Sequence, residues 1–272
     1  MRMPQKTLFT ELTCYTMKQL KNTFILSLLA ISTSFLSCKK NNSESEISGS
    51  GSMEIEFENK VGSQPLILNS QTYKNANGDD FTISSFKYYI SNVQLIKANG
   101  KAVVLPETYY LIDAADKASS HQLAEKIPAG DYASIKMTIG VDSARNFSGA
   151  QTGTLDPAKG MFWTWNSGYI FVKLEGNSAK STAADNKLNF HIGGAKAPYN
   201  TIRTATHTFA SLLRIRENSK PEMHFVVDAS SLFKGKSVIN FATLNFTMGD
   251  ANSIIIADNY VNGFIRMDHV HN

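Results

Sequence analysis

The 272-residue chain is poor in thiols and indoles, with two cysteines, Cys14 and Cys38, and two tryptophans, Trp163 and Trp165. Both cysteines precede residue 39, so the rest of the chain has no thiol. That absence excludes disulfides, zinc-thiolate sites and cysteine nucleophiles there, and leaves any metal to histidine, carboxylate or a less usual donor. There is no G-x-S-x-G and no His/Asp spacing of hydrolase type. The stretches GGAK and GSGS lack the strand–loop–helix context and the Lys-Ser/Thr ending of a phosphate loop. Asp113, Asp116, Asp142, Asp156 and Asp185 fall in or beside loops without calcium-loop spacing, and read as solvated turn acids. Basic runs are missing too. Most of the formal +4 charge comes from Arg2, Lys6, Lys18 and Lys21, set against Glu11 alone, so the rest is nearly balanced and no nucleic-acid partner is expected. These absences point away from an enzyme.

What the N-terminus does contain is legible. MKQLKNTFILSLLAISTSFLSCKK sets Lys18 and Lys21 before an apolar run from Phe24 to Leu36, followed by Ser37 and Cys38. That is the layout of a secretory signal over residues 1–37, and Met17 opens it more neatly than Met1. A membrane-spanning anchor fits less well, because the run falls short of the ~20 apolar residues a span needs. A cysteine directly after FLS resembles the lipobox of bacterial lipoproteins, which implies a lipid on Cys38 and a place in the cell envelope, periplasmic or on the outer-membrane surface. Residues 38–52, KKNNSESEISGSGS and its neighbours, read as a polar, flexible tether.

From Met53 the pattern changes. MEIEF alternates Met53, Ile55 and Phe57 against Glu54 and Glu56, the period of a half-buried strand. FTISSFKYYISNVQLIKA, AVVLPETYYLI, DYASIKMTIGV, YIFVKLEG, KLNFHIG, THTFASLLRI and EMHFVVD continue it, separated by turn clusters such as NANGDD and PAGDY. Helical patterns are confined to DASSLFKG and NSIIIADNYVNGF. With no internal repeat, residues 53–272 are expected to form one all-β domain, an antiparallel β-sandwich or barrel with few short helices.

Both tryptophans stand within GMFWTWNSGYIFVKLEG, where alternation puts Met161, Trp163 and Trp165 on one face. Two readings stay open: a packed aromatic core, or a site built with the long polar loop GVDSARNFSGAQTGTLDPAKG before it. An indole pair is also a stacking platform for sugar rings, which would make this a metal-independent glycan- or ligand-binding surface lipoprotein.

The run from GVDSARNFSGAQTGTLDPAKGMFWTWNSGY through FHIGG to IADNYVNGFIRMDHVHN resembles the MbnP-like domain, a family of periplasmic copper proteins encoded beside methanobactin genes and of copper-repressible surface proteins. The resemblance implies a copper cofactor, a di-haem cytochrome c peroxidase-type partner that oxidises a motif tryptophan to kynurenine, and histidines that complete the ligand set. An intact indole nitrogen is only a donor and cannot ligate a metal. The ring-opened aryl amine and ketone can, and nitrogen donors suit Cu(II). The expected metal residues are Trp163 or Trp165 together with His191, His269 and His271. His191 shares the polar face with Asn189, opposite Leu188, Phe190 and Ile192, and occupies the F-H-x-G position. His269 and His271 form an i, i+2 pair if the chain end is extended, or a solvated tail if it frays. His224, between Met223 and Phe225, reads as structural, while His207 and His121 have no evident partner. The chain departs from copper-cassette members in lacking their cysteine pair and in carrying Asn59 near the first strand, where some copper binders have histidine.

Overall fold

A computed structural model of the chain describes residues 47–106, 108–165 and 168–272. The leader, Cys38 and the tether as far as residue 46 lie outside the described residues, as do Asn166 and Ser167 of the tryptophan stretch.

Alternation builds two sheets, each turning one face inward. β1 (Ser50–Val61) begins three residues earlier than its apolar pattern suggests, because Ser50 and Gly51 pair with Pro128 and Ile127 further along the chain. The main strands that follow are β2 (Asp80–Lys97), β3 (His121–Pro128), β4 (Gly130–Ile139), β5 (Phe162–Trp163), β6 (Gly168–Asn177), β7 (Lys187–Gly193), β8 (Arg203–Ile215), β9 (Glu222–Asp228), β10 (Phe246–Met248) and β11 (Ile265–His271). The smaller sheet runs β11–β9–β1, with β3 on the far side of β1. The larger runs β8–β4–β2–β6–β7–β10, with short strands added at its edges. Met53, Ile55, Phe57, Met223 and Phe225 from the small sheet meet Phe86, Tyr88, Leu174 and Phe190 from the large one in a single buried core, with Phe57 and Tyr88 edge-to-face at 6.4 Å. The sandwich expectation holds. Its pairing is mixed rather than wholly antiparallel, since β1–β9 and β7–β10 are parallel.

The helical patterns become a short 3₁₀ helix, Ala229–Phe233, and an α-helix, Ala251–Tyr260, capped by Asp228 and Asp250. No helix among the described residues is long and apolar enough to cross a membrane.

A second, smaller apolar cluster sits on the outer face of the large sheet. Adjacent residues on a strand point oppositely, so Tyr88 enters the main core while Tyr89 joins Val141, Leu155, Met161, Trp163, Tyr169 and Phe171 outside it. The polar loop before the tryptophans folds down onto this cluster. Asp142 accepts from Arg145 N and starts the turn Ser143–Asn146, whose buried Asn146 accepts from Tyr169 N at 2.8 Å. The hydroxyls of Tyr89 and Tyr169 donate to the carbonyls of Thr154 and Leu155. Polar side chains thus give a loop without a long regular element one fixed path.

Candidate functional site

The two tryptophans have separate fates. β5 is only two residues long, so the chain leaves the strand after Trp163 and the extended alternation stops there. Trp163 is 5 % exposed and Trp165 is 64 % exposed, with ring centroids 5.6 Å apart. One is core and the other is surface. Trp163 lies against β7, where a Cβ on Gly193 would come within 2.7 Å of its six-membered ring, so only glycine admits the indole. Its Nε1–H is shut from solvent without an acceptor, an arrangement that costs about 1–3 kcal/mol. Beside it opens a cavity of about 130 Å³ walled by Phe147, Trp163, Tyr169, Ala195, Pro198 and Tyr199.

His191 stands two residues before Gly193 on β7 and so shares its outer face. Met248, its neighbour across on β10, packs against the Trp163 cluster. His191 Nε2 is 2.8 Å from Glu175 Oε1, and Lys173 Nζ is 3.1 Å from the same oxygen. The hydrogen bond from His191, with the Lys173 ammonium beside it, outweighs burial and holds the Glu175 carboxyl down to about 2. Donation from Nε2 leaves Nδ1 as the lone-pair nitrogen of the neutral ring, with Glu175 fixing that tautomer.

His269 and His271 lie elsewhere. The chain end is a strand rather than a frayed tail: β11 pairs with β9, and Asn272 exchanges hydrogen bonds with Leu212 O and Arg214 N. Both imidazoles face outward from the small sheet, and their Nε2 atoms are 2.9 Å apart. The third ring beside them is His224, expected to be structural because Met223 and Phe225 flank it. Both flanking residues are buried as expected, and that turns His224 outward, stacked on His269 at 4.3 Å. The structure therefore brings His269 and His271 to His224, and puts His191 with Trp163 on the opposite outer face of the sandwich.

Carboxylates line the same strip. Glu56 Oε2 is 2.6 Å from His224 Nδ1, Asp268 Oδ2 is 2.9 Å from His269 Nδ1, and His121 Nδ1 is 3.2 Å from Glu54 Oε1. None of these partners is local in sequence apart from Asp268. The available signal was the outward i, i+2 pairing of Glu54 with Glu56 and of Glu222 with His224. His207 is half-buried with its ring 5.4 Å from Phe225, and serves packing.

The sequence profile of the MbnP family matches residues 50–252. The chain belongs to the MbnP family. The match takes in the tryptophan stretch, His191 and His224, and stops before His269 and His271. Among solved structures, MbnP from Methylosinus trichosporium is 15 % identical over 71 % of this chain and 80 % of that one, with a TM-score of 0.49. A comparison with curated proteins gives no match. As an MbnP-family domain, the fold presents its tryptophan motif on the outer face of the large sheet and its histidine cluster on that of the small one.

Proposed function

We propose that this MbnP-family protein is a lipid-anchored, extracytoplasmic copper-binding protein that holds its metal rather than turning over a substrate. Lipidation at Cys38 tethers it in the cell envelope, and the copper seat forms when a di-haem peroxidase-type partner, with peroxide as the oxidant, cleaves the C2–C3 bond of the Trp163 indole and the C2 carbon leaves as formate, which gives kynurenine. One observation carries the reading: Trp163 packs over the outer face of β7 two residues from His191, with Trp165 exposed against it.

The residues fit copper conditionally. Intact indoles supply no lone pair, so Trp163 and His191 are not a ligand set as they stand. Ring opening would give the aryl amine and ketone, and the neutral His191 held by Glu175 would add an imidazole nitrogen, a donor set that copper favours. The exposed Trp165 ring offers the surface at which an oxidising partner would meet the buried indole. Copper supplies no chemistry to these residues beyond accepting their lone pairs.

The test is intact-protein mass after co-expression with the partner. The expected result is a mass change at the Gly160–Gly176 peptide that matches indole-to-kynurenine conversion, with copper retained through dialysis. An unmodified mass with no retained copper would contradict the reading. A second reading, a glycan-binding surface, draws on the 64 % exposure of Trp165, whose ring lies 5.6 Å from that of Trp163. In that case oligosaccharides should quench its fluorescence and Cu(II) should not.

A further inference from the structure

The small sheet carries a feature that the tryptophan motif does not account for. Directly paired residues place His121, Glu56, His224 and His269 in one row across β3, β1, β9 and β11, with Glu54, Glu222 and His271 in the next row. Every one of them alternates with a residue of the core or of the half-buried layer beneath it, so the whole strip faces outward.

At one end of the strip the donors are all imidazole. One ring nitrogen each from His224, His269 and His271 lies within 4.8 Å of the other two. An ionised carboxylate only accepts hydrogen bonds, so Glu56 must take the Nδ1 proton of His224, and Asp268 that of His269. Each ring in its neutral form then presents Nε2 as a lone pair. The Nε2 of His224 is buried, accepts from nothing, and stands 3.6 Å from the Glu222 carboxylate, which has no proton to offer it. A buried acceptor left this way costs about 1–3 kcal/mol unless something fills it. His269 Nε2 meets His271 Nε2 at 2.9 Å, so in the metal-free protein His271 donates its proton there.

We propose that His224, His269 and His271 form a second metal site for a borderline divalent ion of the Cu²⁺ or Zn²⁺ class, complete without tryptophan oxidation. Three imidazoles plus one open position is a known layout for such ions, with metal–nitrogen distances of ~2.0–2.1 Å. Nitrogens about 3.3 Å apart satisfy that geometry, so loading closes the widest gap by ~1.5 Å at most and parts the His269–His271 pair slightly from its 2.9 Å. The proton of His271 Nε2 moves to its own Nδ1, and no net proton is released. Glu56 and Asp268 act as positioning residues: each fixes the tautomer and the orientation of the ring it holds. Among the available divalent ions, Cu²⁺ stands highest in the affinity order. The metal would join β9 to β11, the strand that ends the chain.

The test uses the mature chain produced without any oxidising partner, so that both indoles remain intact by mass. It is loaded with Cu²⁺ or Zn²⁺ alone, dialysed, and assayed for metal per chain, with nitrogen hyperfine structure read by electron paramagnetic resonance for Cu²⁺. The expected result is one equivalent with imidazole nitrogens in the spectrum. His269→Ala and His271→Ala, both at exposed positions that a fold can tolerate, should each weaken binding by more than the roughly 10–100-fold that losing a supporting carboxylate costs. Glu56→Ala should fall within that span, and Glu56→Gln, whose amide oxygen still accepts from Nδ1, should recover most of it. No bound metal in the parent, or histidine variants that bind as well as it does, would overturn the site. Copper that appears only after tryptophan oxidation and survives His269→Ala would also overturn it, while leaving the tryptophan reading intact.

Discussion

Gly193 shows how much one position carries. Its missing Cβ is the space that the Trp163 ring occupies, and the Tyr169 carbonyl would lie 2.6 Å from the same atom. Gly193→Ala must therefore push the indole out or shift the strand, at a cost of about 1–3 kcal/mol for overpacking. Urea denaturation checks the loss, and a red-shifted tryptophan emission checks that the displaced group is Trp163. An unchanged spectrum and midpoint would mean that the indole does not depend on that glycine. Single residues also mark where sequence reading reached its limit. The alternation of Leu188, Phe190 and Ile192 against His191 was legible because one strand's period decides it. The outward turn of His224 was equally implicit in Met223 and Phe225, but its meaning was not. Glu56 lies far back in the chain and His269 far ahead, and only strand pairing puts them beside it.

At the scale of elements, the short helix Ala229–Phe233 depends on its cap. Asp228 accepts from Ser230 N at 2.9 Å, from Gly62 N at 2.7 Å across the sheet, and from Lys234 at 3.1 Å. Burial would raise its carboxyl, but the Ser230, Gly62 and Lys234 contacts outweigh it and hold the group below its ordinary value of 3.8. A depressed folded-state value gives stability that is fully present above the unfolded value and lost as pH falls through the folded one. Asp228→Ala should cost about 2 kcal/mol or more at neutral pH through the lost cap and orphaned N–H groups. The gap between parent and variant should close as the medium is taken into acid below 3.8. Chemical denaturation across that range reads it, and a pH-independent gap would assign the loss to packing. Strand β11 is the other element at issue. A chain ending at Met267 keeps Ile265 in the core and removes both terminal imidazoles, so it should stay folded by circular dichroism and fail to retain Cu²⁺ when the tryptophans are intact. The parallel pairing of β1 with β9 could not be read beforehand, since no local pattern names a partner as distant as Glu222 is from Glu54, 222 − 54 = 168 residues away.

For the whole molecule, two outer faces of one sandwich carry two different donor sets, and a metal bound to the folded state alone must stabilise it. Free metal at about a hundred times its dissociation constant adds ~2.7 kcal/mol. For a domain of this size that should raise Tm by roughly 5–10 °C. Calorimetry with and without Cu²⁺ checks the shift, and a flat Tm would deny binding to the native fold. Fold class was visible from periodicity because the alternation of each strand is a local property. The split of the candidate ligands between faces was not, because it depends on which sheet each strand joins. The most direct measurement is copper per chain after dialysis, with and without co-expressed di-haem partner. One copper is expected on the unmodified chain and a second when the Trp163 peptide carries kynurenine. No retained copper in either preparation would contradict it.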